Sequence, residues 1–86
     1  MGDRGENYKV EKVYGVINSR TNPKTGETTE VKLTKTGWFG RLPKYELRNW
    51  TGDYAGSGCV IGIDRDLLKL RDLLNEICKD FDDDEL

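Results

Sequence analysis

The residues best suited to chemistry lie near the middle of the chain, in the stretch PKYELRNW that ends at Trp50. Arg48 and Trp50 are two residues apart, so on a β-strand their side chains share one face, and Lys44 shares it as well. A guanidinium beside an indole suits unpaired nucleic acid, because bases stack on aromatic rings while cations meet the phosphates. The pattern predicts a surface for single strands, although an indole at this position equally fills a core or a dimer seam.

Further aromatic and basic residues precede this stretch. Trp38 lies in the segment that enters the strand, and Lys32 and Lys35 lie on the strand before it. Strict alternation places the two lysines on opposite faces unless Gly37 marks a bulge. The alternatives are a core or dimer-seam position for Trp38 and solvated surface charge for each lysine. The predicted nucleic-acid-binding residues are Arg48, Trp50, Lys44, Trp38, Lys35 and Lys32.

The composition argues against catalysis and against a metal site. The chain has no histidine, which removes the usual general base, and no serine or cysteine has a recognisable partner base. The glycine-rich TGDYAGSG lacks the lysine of a phosphate-binding loop. Cys59 and Cys78 cannot complete a four-ligand zinc site. We therefore expect a non-enzymatic protein without cofactor or metal. We also expect both thiols to be reduced core residues in a cytoplasmic protein with no membrane span.

The net charge of −2 conceals a strong asymmetry. Between Tyr8 and Trp50 there are nine lysines and arginines against four acids, whereas five acids follow Lys79. A basic body with an acidic tail is typical of an anion-binding surface joined to an interaction segment. Three roles are open for the tail: docking a protein partner, competing with nucleic acid in cis, or keeping the protein soluble.

Hydrophobic alternation predicts four strands and one helix. The expected strands are Tyr8–Ile17, Thr29–Thr36, Lys44–Trp50 and Cys59–Ile63, with turn chemistry at residues 18–28 and 37–43 and a glycine-rich loop at 51–58. Asp64 is expected to cap a helix in which apolar residues recur every three or four positions, with Leu68 off that stripe.

These elements predict a single α+β domain. We expect a flexible N-terminus at residues 1–7, a binding domain at 8–81 and an acidic tail at 82–86. The fold class is a four-stranded curved antiparallel sheet followed by one C-terminal helix (ββββα), with the helix on one sheet face and the basic residues on the other. A chain of 86 residues buries only about 60% of its unfolded surface. The wide apolar helix stripe and Leu68 therefore favour a homodimer.

The stretch LTKTGWFGRLPKYELRNW, followed by a polar loop and by IGID at the start of a helix, resembles a known family. It is similar to the C-terminal domain of the transcriptional coactivator positive cofactor four, and most of all to its small stand-alone bacterial members, the YdbC-like proteins. The resemblance runs from about Val31 to Leu74, roughly half the chain. It implies a curved four-stranded sheet with a helix, a dimer with the helices at its interface, and paired sheets that hold single-stranded DNA.

In this resemblance Arg48 and Trp50 match the DNA-contacting positions of the family. Lys44, Lys35 and Trp38 are further matches. The chain departs from the family where Cys59 and Val60 replace a basic residue and a glycine before the last strand. The long first hairpin turn and the acidic tail are further departures.

The expected function is single-stranded DNA binding with little sequence preference, by a homodimer, in transcription, replication or repair. Two alternatives remain: a protein-interaction module that uses the tryptophan-bearing basic face, and RNA binding, since no feature reads a 2′-hydroxyl.

Overall fold

The computed structural model describes residues 7–81, which form a four-stranded antiparallel sheet followed by one helix. The strands follow one another across the sheet in chain order, so the ββββα architecture is confirmed. The flexible segment predicted at 1–7 lies outside the described residues except for Asn7, and the acidic tail at 82–86 lies outside them entirely. The elements are β1 Tyr8–Thr21, β2 Thr28–Trp38, β3 Lys44–Thr51, β4 Tyr54–Gly62 and α1 Asp64–Cys78.

The first hairpin is longer than the alternation of its residues indicated. β1 and β2 pair as far as Thr21 and Thr28, so the turn occupies only residues 22–27. The pairing slips by one residue three times along β1, near Glu11, Tyr14 and Ile17. Each such bulge bends the strand and increases its twist. Three bulges in one edge strand account for a sheet that curls strongly.

The prediction of a glycine-rich loop at residues 51–58 is wrong. The chain turns tightly at Gly52 and Asp53, and most of the glycine-rich stretch belongs to β4. The reason is close packing against β3: a Cβ on Gly58 would lie 2.7 Å from the Leu47 carbonyl oxygen and 2.8 Å from the Arg48 Cβ. Glycine in a strand often marks such a close approach.

The helix begins at Asp64 as expected, but Ile63 occupies the N-cap position, which corrects the expected capping role of Asp64. The carboxylate of Asp66 accepts the backbone N–H of Ile63 at 2.9 Å. α1 packs chiefly against β4 and has no buried residue. Within residues 7–81 the helix is too short and polar to cross a membrane.

The curled sheet has an inner and an outer face. The inner face carries Trp38 of β2 and the alternate residues Lys44 to Trp50 of β3, whose side chains converge; the outer face carries Leu33 and Leu47 and lies beside the helix. The radius of gyration is 15.2 Å, whereas a compact chain of this length has about 12 Å. Both cysteines are exposed, which corrects their expected core positions, because neither β4 nor α1 is covered.

Candidate nucleic-acid interface

A buried ion pair lies at the centre of the inner face. The Arg48 guanidinium donates to both carboxylate oxygens of Glu46, at 2.7 and 3.2 Å, and to the backbone carbonyl of Gly56 at 2.8 Å. The Trp38 indole N–H donates to the same carboxylate at 2.9 Å, and the guanidinium lies 4.7 Å from the centre of that ring. The Glu46 side chain is 1% exposed. All three side chains are thus held by one another.

The two aromatic residues of the predicted site differ in their surroundings. Trp50 is only 6% exposed, with the ring of Tyr8 at 5.7 Å and the Lys32 ammonium at 5.7 Å from its ring centre. Trp38 is half-buried, and the Tyr8 ring lies 4.9 Å from it. The structure therefore brings both tryptophans together around one tyrosine that the sequence did not single out.

The predicted cations fall into three situations. Arg48 is engaged with Glu46, and Lys32 lies 3.7 Å from Glu30 with a side chain 23% exposed. Lys44 is exposed on the inner face. Lys35 points to the outer face, where its ammonium lies over a tyrosine ring, so the two β2 lysines are separated as alternation requires. Of the four, Lys44 has the most open position for a phosphate.

A cleft of about 490 Å³ opens on the inner face at the end of the sheet where β2 is joined to β3. It joins three of the predicted residues with three exposed apolar side chains, Phe39 at 64%, Leu42 at 81% and Val60 at 50% exposure. A second exposed cation, Arg41, also borders it. The lining residues are Thr36, Trp38, Phe39, Arg41, Leu42, Lys44, Glu46, Arg48 and Val60.

The exposed phenylalanine depends on the geometry of the β2–β3 loop. Phe39 has φ of 54° and Gly40 has φ of 75°, so two successive residues adopt the left-handed region. For a bulky residue this conformation is unfavourable and must be held by its surroundings. Here the Phe39 N–H donates to the Asn7 carbonyl at 2.6 Å, and the Arg41 N–H donates to the Trp38 carbonyl at 2.9 Å. The pattern GWFG, two aromatic residues between glycines, was the available signal for this residue.

The outer face is apolar where the inner face is polar. A groove of about 390 Å³ runs between the sheet and α1. Leu68, which lies off the main helix stripe, is 51% exposed and borders this groove. Its apolar lining consists of Ile17, Leu33, Leu47, Ile61, Leu67, Leu68, Leu70 and Leu74.

A polar contact ties the start of the helix to the outer face. Hydrogen bonds with Asp64 and, secondarily, Tyr14 raise the pKa of Tyr45 to about 12, because both stabilise the protonated phenol. The Lys12 and Lys35 ammonium groups lie about 5 Å from the Tyr14 and Tyr45 ring centres, respectively. Tyr45 is thus close to the N-terminal end of α1, and the apolar stripe of the helix becomes exposed from Leu74 onward.

Comparison with known proteins finds a relative that aligns with most of the chain. An "Uncharacterized protein" of Treponema pallidum (strain Nichols) is 30% identical over 74 residues, which are 85% of this chain and 81% of that protein. No family model matches the chain, and no solved structure matches it.

Proposed function

The chain belongs to the same family as the uncharacterized Treponema pallidum protein, and we propose that it binds single-stranded DNA with little sequence preference. We further propose that it is a cytoplasmic, positive-cofactor-four-like protein that acts as a homodimer. Transcription, replication and repair are the processes in which such binding is used.

The observation that carries the proposal is the inner-face cleft. Exposed Phe39 offers a ring on which a base can stack, and exposed Arg41 and Lys44 border the same space. Stacking on aromatic rings and neutralisation of phosphates are the two contributions that sequence-tolerant single-strand binding needs. The one acid in the cleft, Glu46, is paired with Arg48 and so repels an approaching phosphate less than a free carboxylate would.

The dimer rests on the outer face. The exposed apolar groove and helix stripe form a surface of a kind that soluble proteins normally bury against a partner. Among residues 7–81 one helix, packed chiefly against β4, lies beside this face and leaves the groove open. A second copy that places its helix against this groove would bury both stripes and leave both inner faces open.

The test is a titration of labelled oligo-dT, with oligo-U and a duplex of equal length as competitors. We expect oligo-dT binding at micromolar protein, and Phe39→Ala should weaken it by about 1–3 kcal/mol, the usual loss for one stacked base. Phe81→Ala is the matched control, since Phe81 is also exposed but follows the helix, away from the cleft.

Three results would contradict the proposal. Absence of oligo-dT binding would favour a protein-interaction module. Preferential competition by oligo-U would assign the surface to RNA. Equal loss in both phenylalanine variants would show that the cleft is not the binding surface.

A further inference from the structure

The ring of Tyr8 contacts both tryptophans of the inner face. Its ring centre lies 4.9 Å from that of Trp38, tilted by 40°, and 5.7 Å from that of Trp50, nearly edge-on at 68°. These separations are those of interacting aromatic pairs. Cations flank the same pair of indoles, Arg48 over Trp38 and Lys32 over Trp50. A flat ring among two indoles and two cations is also the environment that single-strand-binding proteins build for a base.

The Trp50 indole lacks a hydrogen-bond acceptor when the Tyr8 ring lies beside it. Its indole N–H is buried and donates to no group among residues 7–81. A buried donor without an acceptor is costly, and such groups call for an explanation. A nucleotide carries carbonyl and phosphate oxygens, which are the acceptors that this donor lacks. Tyr8 does not supply one: its hydroxyl donates to the Asp53 carbonyl at 3.1 Å, 45 residues away in the chain, and forms no hydrogen bond with the indole.

Few bonds hold Tyr8 at the start of β1, so this part of the strand can be displaced. Tyr8 is the first residue of β1, an edge strand that pairs with β2 alone. Beyond the pairing with Trp38, two hydrogen bonds among residues 7–81 hold this end of β1: the hydroxyl bond to Asp53, and the Asn7 carbonyl that accepts the Phe39 N–H. Strand ends with so few bonds open at a small fraction of the global unfolding free energy.

We propose that the space between Trp38 and Trp50 is a subsite for an unpaired nucleobase, and that Tyr8 fills it in the free protein. The proposal rests on the proposed single-strand binding and deepens it. Binding then proceeds with exchange of one aromatic ring for another: the end of β1 lifts, the base enters, and the Trp50 N–H gains an oxygen acceptor. The apparent affinity for single strands is lowered because, in part of the free protein, Tyr8 occupies the subsite.

The first experiment compares oligo-dT affinities of the wild type with those of Tyr8→Ala and Tyr8→Phe. Removing the ring should raise affinity about threefold to tenfold, because the base no longer displaces an aromatic pair. Removing only the hydroxyl should raise it less. Tyr14→Phe and Tyr14→Ala are the matched controls, since Tyr14 lies on the same strand but contacts Tyr45 on the outer face; neither should raise affinity.

The second experiment is hydrogen exchange on the wild type, which needs no variant. Oligo-dT should accelerate exchange at the Phe39 amide, because its acceptor on Asn7 leaves with the strand end. If Tyr8→Ala does not fold, Tyr8→Phe and this measurement decide. The inference is overturned if wild-type protein binds oligo-dT while Tyr8→Phe binds equally or more weakly, or if the Phe39 amide becomes more protected. If no variant binds at all, the proposed function fails together with it.

Discussion

The side chains on the two faces of the sheet differ in polarity and in how far their interactions are completed within one chain. On the inner face the buried groups are mainly polar, and Glu46, Arg48 and Trp38 complete one another's hydrogen bonds. Thr34 and Thr36 are also fully buried there and share a hydrogen bond of 2.8 Å. On the outer face the side chains of the groove and of α1 are mainly apolar, and much of their surface is open to water.

This difference separates the contacts that stabilise one copy from the contacts that the proposed dimer would add. Polar groups become buried only where partners satisfy them, so the inner face has its stabilising contacts within the chain. Apolar side chains stabilise a protein only when they are removed from water, and in the single chain much of the outer face is still exposed to water. The inner face therefore determines local stability and the form of the cleft, and the outer face is the surface on which the proposed dimer depends.

The largest effect is expected from a charge placed in the outer-face groove. Leu68→Asp removes apolar surface worth about 1.5–3 kcal/mol per side chain when buried, and a two-fold interface loses it twice. We expect self-association to weaken by about 3–6 kcal/mol, measured by sedimentation equilibrium at micromolar protein. Lys69→Ser, at the neighbouring exposed position, is the control and should remain dimeric. If the wild type sediments as a single species near 9.8 kDa, it is a monomer, and the outer face does not mediate self-association.

The next effect comes from the buried ion pair of the inner face. Glu46→Gln leaves the Arg48 guanidinium, 15% exposed, without its counter-charge. Breaking a buried pair on one side costs about 3–5 kcal/mol, so urea denaturation at fixed protein concentration should show a loss of that order. Glu30→Gln is the control, because the Glu30–Lys32 pair at 3.7 Å is partly exposed and is worth about 0–1 kcal/mol. Equal losses of unfolding free energy in the two variants would mean that the Glu46–Arg48 pair does not stabilise the inner face more than a surface pair does.

This ion pair also shows how far sequence reasoning reaches. Alternation along KYELRNW placed Arg48 and Trp50 on one face, and the structure confirms it. The same alternation put Glu46 on that face, two residues from Arg48, and this was the available sign that the arginine had an internal partner. The binding roles of Arg48 and Trp50 stay predictions, since the one is ion-paired and the other is buried in the free protein.

Other features had weaker sequence signals. The three bulges in β1 follow from pairing with β2, and neither Glu11 nor Ile17 is a residue type that marks a bulge. Curvature brings Tyr8 to Asp53, a contact between residues that local periodicity does not relate. The glycines of β4 indicated a loop by composition, yet they serve close packing against β3. Local pattern thus predicted the elements, whereas the contacts across the curl required the fold.

A smaller effect tests whether the cleft of the inner face is the electrostatic surface. Arg41→Ala with Lys44→Ala removes two exposed cations that border it. For single strands the logarithm of the binding constant changes with that of salt concentration by about −0.7 per phosphate contact. We expect the double variant to reduce this slope by about 1.4 per occupied site. The charge-matched control, Lys24→Ala with Lys69→Ala, lies on the hairpin turn and helix and should keep the wild-type slope.

The smallest effect concerns the polar contact between the outer face and the helix. Tyr45 has its pKa raised to about 12, first by its hydrogen bond with Asp64 and then by that with Tyr14, whereas an unfolded tyrosine titrates near 10. Between these values the unfolded chain has lost the phenolic proton and the folded protein retains it, so stability falls as pH rises. The contribution is therefore fully present below pH 10 and lost by about pH 12.

Tyr45→Phe and Asp64→Asn examine this contact from its two sides. The phenylalanine variant should be less stable than the wild type at pH 8, and the difference should shrink as pH rises from about 10 to about 12, because only the wild type has a contact to lose. Asp64→Asn retains the phenol and removes the main cause of its shift, so its absorbance at 295 nm should titrate at lower pH. If the wild-type phenol already titrates near 10, the helix is not tied to the outer face through Tyr45, and its position depends on apolar contacts alone.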